Sequence, residues 1–184
     1  WNRAVRLVGD PSPDIVIRRH ILESLALLPF IKETRGSLLD IGSGNGYPAI
    51  PLKCALPDLR LTMLEPTLRK SLFLEQVIRE LGLSDATVIR GRIDRPRDLT
   101  RLGRWDQISM RGVAVVHTVL AAAASSLRGG GRLLLMLGAS GTTGVRGHVM
   151  PPLEVLAEQR IASSGGGLLV VGLTHADLAD HETH

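Results

Sequence analysis

Three features of the sequence predict an α/β fold with a mostly parallel central sheet and helices on both faces. Short apolar runs alternate with segments of helical periodicity along the chain. The first of these runs, Ser37–Ile41, breaks into a cluster of glycines, as strands do where a ligand approaches the carboxyl edge of a sheet. Length and composition suit one core: 184 residues, 44% hydrophobic and 22% charged, need neither a disulfide nor a structural metal to fold.

Composition also narrows the function classes. Cys54 is the sole cysteine, which excludes an intrachain disulfide and a cysteine zinc site. No apolar run, the compact Leu133–Leu137 included, approaches the roughly 20 residues that cross a bilayer. With no cleavable signal visible, a cytoplasmic location is expected. The net charge of +4 is carried mainly by arginine, since Lys32, Lys53 and Lys70 are the only lysines. Arginine forks suit phosphates and guanine edges, whereas 3% aromatics leaves few platforms for stacking single-stranded bases. An RNA partner is thus permitted without being demanded.

The elements follow in order. Ser12-Pro13-Asp14 opens a helix, with Ser12 as cap and Pro13 in the first turn. Ile17, Ile21, Leu25 and Leu28 share its inner face, and Pro29 ends it. Ser37–Ile41 is a buried strand, and a short helix follows over Pro48–Ala55, where Pro51 is tolerated because it lies in the first turn. Leu59–Glu65 reads as the second strand. Leu68–Leu81 is amphipathic, with Leu74, Val77, Ile78 and Leu81 in register and Gly82 as its stop. Ala86–Arg90 and Asp106–Met110 are the third and fourth strands, and Val113–Leu127 is a helix. Gly129-Gly130-Gly131 turns into the strand Arg132–Leu137. A glycine-spaced loop over 138–147, a short helix over Leu153–Gln159 and a last strand, Leu168–Leu173, complete the pattern. Cys54 is expected to pack as a small hydrophobe.

The chemistry concentrates at the strand ends. The first strand ends Asp40-Ile41-Gly42-Ser43-Gly44-Asn45-Gly46. Glycines there let a ligand approach the backbone, since no Cβ intervenes. Dinucleotide binding asks for a glycine three residues beyond Gly44, but Tyr47 occupies that position. A second acid, Glu65, closes the second strand, where a carboxylate can accept both hydroxyls of a ribose. A third, Asp94, follows the third strand. The D-x-G-x-G-x-G spacing resembles motif I of the class I S-adenosylmethionine-dependent methyltransferases. That resemblance implies a Rossmann-like fold and S-adenosyl-L-methionine as cofactor. Asp40 would then serve the amino-acid end, with Gly42, Ser43, Gly44 and Gly46 as the cradle. Glu65 would hold the ribose, and Arg92, Ile93 and Asp94 would lie along the adenine edge.

A narrower resemblance covers roughly residues 1–138. Trp1-Asn2, Arg19-His20-Ile21-Leu22-Glu23-Ser24, the proline-bearing stretch Tyr47-Pro48-Ala49-Ile50-Pro51, Leu64-Glu65, Phe73-Leu74, Gln76-Val77, Arg92-Ile93-Asp94 and Trp105-Asp106 resemble the RsmG/GidB (glucose-inhibited division protein B) family. The resemblance implies methylation of a guanine of bacterial 16S rRNA at ring nitrogen 7, with the rRNA or the small ribosomal subunit as partner. Length and the absence of a linker predict one domain over 1–184: an amino-terminal helical segment at 1–36, a cofactor-binding core at 37–138 and a terminal portion, loop, helix and strand, at 139–184. A monomer without a metal is expected. Arg111 matches the arginine of the family's Ser-Arg-Ala motif, here Met110-Arg111-Gly112, and is the candidate catalytic residue on the substrate side; a structural ion pair at the end of the fourth strand is the alternative for it.

Several basic positions of that family are absent: Leu72 stands for one, Leu137 precedes Gly138 where a lysine is expected, and Val170-Val171-Gly172-Leu173 carries none. Those losses keep two rivals open, a small-molecule methyltransferase and a non-catalytic paralogue that binds cofactor or RNA. The arginine run Arg90, Arg92, Arg95, Arg97, Arg101 and Arg104 is either a phosphate contact or a solvated surface. Arg3, Arg6, Arg18 and Arg19 are open to the same two readings. His20 is expected to bond locally or to lie near the cofactor's methionine end, and the histidines of the terminal tail are expected to bind no metal.

Overall fold

The structure, a computed structural model, describes residues 9, 12–93, 95–112, 117–138, 141–161 and 165–173. Its elements are helix α1 (13–25), β1 (Ser37–Ile41), α2 (Ala49–Ala55), β2 (Arg60–Glu65), α3 (Leu68–Leu81), β3 (Ala86–Arg90), α4 (Pro96–Thr100), β4 (Trp105–Arg111), α5 (His117–Ser126), β5 (Leu127–Leu137), α6 (Gly141–Arg146), β6 (Leu153–Arg160) and β7 (Gly167–Leu173). The seven strands form one sheet in the order β3-β2-β1-β4-β5-β7-β6. β1 to β5 run parallel, and β7 inserts antiparallel between β5 and β6. The expected mostly parallel α/β sheet is present, and its strand order reverses between β1 and β4.

The apolar runs are continuous rather than alternating because both sheet faces are buried. Leu39, Ile41, Ile108, Leu133 and Leu135 join Leu120 and Ala123 of α5 in one cluster. Leu38, Leu61, Met63, Leu134 and Met136 pack on the other face against Leu27, Ala49, Leu52 and Leu74. Period-two alternation along β5 thus divides one leucine-rich run between two cores.

Helix α3 matches its expected bounds. Gly82 adopts φ +60° at its end, and the N–H groups of Gly82 and Leu83 close back on Ile78. Leu74 is buried, but Leu81, the last residue of the helix, is 54% exposed. Helix α1 departs from its expected register. A π-helical stretch, Val16–Leu22, separates α-helical turns at Pro13–Ile15 and Glu23–Leu25. The wider turn rotates the inner face, so Ile17 is 49% exposed while Glu23, Ser24 and Leu27 are buried. Ser12 makes no side-chain cap bond.

Three expectations are corrected. Leu153–Gln159 is not a helix but part of the edge strand β6, with Leu153, Val155 and Ala157 paired on β7 across a bulge. The spacing of Leu153 and Leu156 imitates a helical turn, and the cross-strand pairing that decides the matter is non-local. The glycine-spaced loop over 138–147 contains a short helix, α6, and the short helix α4 after β3 has no counterpart among the expected elements. Cys54 is exposed rather than packed. The side chain that is buried there is its neighbour Lys53, 1% exposed, whose Nζ donates to the carbonyls of Pro57 and Leu59 at 2.6 and 2.7 Å.

Candidate active site at the carboxyl edge

Parallel register brings the ends of β1, β2, β3 and β4 to one edge: Ile41 lies beside Leu64 and Met110, and Glu65 beside Arg90. Asp40 sits one residue inside this edge and is 1% exposed. Its Oδ1 accepts a hydrogen bond from Ser109 Oγ at 2.6 Å, and its Oδ2 is buried without a partner among the described residues. Burial pushes its carboxyl up to about 6, against the hydrogen bond from Ser109, the nearby hydroxyl of Ser43 and the charge of Arg111, which lower it.

The glycine turn is built by the chain itself. Gly42 and Ser43 donate backbone N–H bonds to the carbonyl of Leu64, and Ser43 Oγ donates to the carbonyl of Asp40 at 3.0 Å. Ser43 therefore braces the strand end. Glu65 is 3% exposed and accepts the N–H of Gly44 on Oε2 and that of Thr67 on Oε1, both at 2.8 Å. Its carboxylate fastens the turn to β2 and keeps further lone pairs for hydroxyl donors. The two later glycines differ in kind. A Cβ at Gly44 (φ +56°) meets only a carbonyl at 3.7 Å, so this position opens onto free space; one at Gly46 (φ +88°) falls 2.6 Å from Ile50 of α2. Gly44 makes room for a ligand, whereas Gly46 makes room for a helix.

Arg111, the last residue of β4, meets α1. Its Nη2 donates to Glu23 Oε2 at 2.8 Å and to the carbonyl of Arg19 at 3.0 Å. Its Nη1 is buried without a hydrogen-bond partner among the described residues. The ion pair named as the alternative at this position is thus present, and it leaves one amino group of the fork unused. A pocket of about 290 Å³ beside it is bordered by Arg19, Glu23, Arg111, Gly112, Leu137 and Gly138. His20, on the same helix, stacks on Tyr47 of the glycine turn with ring centroids 5.0 Å apart. Burial and then the charge of Arg111 hold its imidazole below its ordinary value.

Asp40, Gly42, Ser43, Gly44, Gly46, Glu65 and Arg111 therefore gather at one edge. Arg92 is exposed and Ile93 packs on the apolar cluster beneath α5; Asp94, Trp1, Asn2, Arg3, Arg6 and the histidine-bearing tail lie outside the described residues. Within the arginine run, Arg95 caps α4: its backbone N–H donates to Asp98 Oδ2 at 2.9 Å and its guanidinium forms an ion pair with the same oxygen at 3.7 Å. Glu23 enters the sequence reading only within the family-like stretch Arg19–Ser24 and not as a site residue, and the signal that could have singled it out is a carboxylate among the apolar residues of α1.

Among the described residues, the buried Asp40 oxygen without a partner fits a cationic group such as the α-ammonium of S-adenosylmethionine, while the buried Arg111 nitrogen without a partner is left for an oxygen acceptor. The open space at Gly44 fits the rest of such a molecule. Among the described residues no group of three or more His, Cys, Asp or Glu side chains is placed to hold a metal, and no helix is long and apolar enough to cross a membrane.

Comparison with known proteins agrees with this geometry. The family model described as rRNA small subunit methyltransferase G (GidB) matches residues 1–150. A ribosomal RNA small subunit methyltransferase G of Stenotrophomonas maltophilia is 37% identical over 138 residues, covering 75% of this chain and 63% of that protein. The Mycolicibacterium smegmatis protein of the same name is 38% identical over 173 residues, 93% of this chain and 72% of that one. The chain thus spans less than two thirds of the first relative. Among solved structures, TrmN from Thermus thermophilus aligns with a TM-score of 0.69 at 18% identity, covering 82% of this chain and 48% of that one. A precorrin-6y C5,15-methyltransferase from Geobacter metallireducens aligns at 0.61 and 14%, covering 82% and 87%. At such identities these two speak for the fold alone.

Proposed function

We propose a function from one premise: the chain belongs to the rRNA small subunit methyltransferase G (GidB) family. It is a cytoplasmic, monomeric enzyme that transfers a methyl group from S-adenosyl-L-methionine to ring nitrogen 7 of a guanine in bacterial 16S rRNA. The observation that carries this reading is the pair of buried groups, Asp40 Oδ2 and Arg111 Nη1, that find no hydrogen-bond partner among the described residues at the switch point of the sheet. Asp40 would take the ammonium end of the cofactor, and the backbone at Gly42 and Gly44 would cradle it, with Gly46 letting the turn close against α2. Glu65 would offer its remaining lone pairs to the ribose, and Arg92, Ile93 and Asp94 would border the adenine.

The cofactor supplies an electrophilic methyl group on a sulfonium. Guanine nitrogen 7 carries a lone pair and no proton, so the chain need provide neither a general base nor a nucleophile. Its task is positioning, which is worth several orders of magnitude when the reacting atoms are held in line. Arg111 is the group placed for this at the substrate side, since its unused amino group can bond an anionic oxygen or the guanine carbonyl.

The test is expression of the chain in a bacterium whose own member of the family has been deleted, with 16S rRNA probed by cleavage at N7-methylguanine. The expected result is a restored cleavage site that Asp40→Ala abolishes. A soluble, cofactor-binding chain that leaves the rRNA unmodified would contradict the reading.

A further inference from the structure

We infer that Glu23 is a positioning residue for Arg111, so that helix α1 forms a working wall of the active site as well as covering the sheet. The inference rests on the proposed placing of Arg111 at the reacting end.

Glu23 is 88 residues from Arg111 in sequence, yet its carboxylate is almost fully buried against that guanidinium. A carboxylate in such a place is retained at a cost in desolvation, and packing alone would be served as well by a leucine or methionine. Among the described residues the guanidinium is gripped at one nitrogen: the Glu23 carboxylate and the Arg19 carbonyl both take Nη2, which leaves Nη1 directed elsewhere. A planar fork held at one prong by a charged acceptor and a fixed carbonyl has its other prong aimed.

The π-helical stretch of α1 is what brings these acceptors round. It ends at Leu22, immediately before Glu23, and contains Arg19 and His20. An α-helical run through the same residues would instead turn the face of Ile17 inward. His20 stacks on Tyr47 beside this contact, so α1 is seated against the glycine turn and against β4 at once.

A double-mutant cycle tests the inference on the full chain: wild type, Glu23→Gln, Arg111→Lys and the pair. Two readouts are taken, equilibrium cofactor binding by calorimetry and initial methylation rate on small ribosomal subunits. Glu23→Gln keeps the shape and loses the charge, and it is expected to lower the rate per KM by about 10- to 100-fold. In the Arg111→Lys background it is expected to change nothing further, because the fork it aims is gone. Glu23→Asp, which restores the charge, is expected to recover part of the rate. Additive effects, or a Glu23→Gln protein with unaltered rate and binding, overturn the inference, and thermal melts identify any variant that merely fails to fold. Wild-type protein that binds cofactor but methylates no rRNA would defeat the functional reading instead; the cycle is then read in cofactor binding alone, where non-additivity still supports the role of Glu23 and additivity still overturns it.

Discussion

Asp40 carries a charge that the fold disfavours. Its carboxyl rises from an ordinary value of 3.8 to about 6, chiefly through burial. The folded state therefore holds the proton more tightly than the unfolded chain, and stability present below pH 4 is lost as pH rises through about 6. At about 1.4 kcal/mol per unit, the loss is about 3 kcal/mol. Asp40→Asn escapes it, so the stability of this variant relative to wild type should grow by about that amount between pH 4 and pH 7 in urea unfolding; a constant difference would contradict the account. Ligand binding should move the other way: an ammonium group at Oδ2 favours the carboxylate, so cofactor affinity should increase as pH rises through about 6. The glycines separate in the same manner. Gly44→Ala should cost about 1 to 2 kcal/mol for its left-handed backbone and weaken cofactor binding at least tenfold. Gly46→Ala adds a collision with Ile50 and should cost a further 1 to 3 kcal/mol. Calorimetry and denaturant titration separate these two effects.

Among the elements, those whose signal is local were legible. Helix α3 could be bounded from its periodicity and Gly82, and Asp40 and Glu65 could be placed because a strand end followed by glycine, or a lone acid closing an apolar run, is written in a few adjacent residues. What depended on distant partners was not legible. Strand β6 exists because β7 pairs with it, the burial of Glu23 because Arg111 waits on another strand, and the burial of Lys53 because two carbonyls converge on it before β2. This last contact closes the turn from α2 into the sheet. Lys53→Met keeps the apolar stem but strands both carbonyls, and should cost about 2 to 4 kcal/mol, measured as a fall in the urea midpoint without a change in slope. An unaltered midpoint would show that water replaces the amine.

On the scale of the whole molecule, the sheet keeps stability and chemistry at opposite ends. At the amino edge, Ser37 and Asp106 exchange bonds of 2.7 to 3.1 Å that tie β1 to β4. Burial alone would raise the Asp106 carboxyl, but the bonds from Ser37 and the charges of Arg128 and Arg60 hold it below its ordinary value, so this tie strengthens above the acid range and is lost as the carboxyl protonates. At the carboxyl edge the same two strands carry Asp40 and Arg111, each with a buried polar atom that has no hydrogen-bond partner among the described residues. That division is the expected form of an enzyme whose chemistry consists of holding two reactants in line. The most direct test is to incubate the purified protein with methyl-labelled S-adenosylmethionine and small ribosomal subunits that lack the modification. Label is expected in the 16S rRNA, placed by cleavage chemistry on a guanine nitrogen 7. Cofactor binding with no label in the RNA, or label on any other atom, would contradict it.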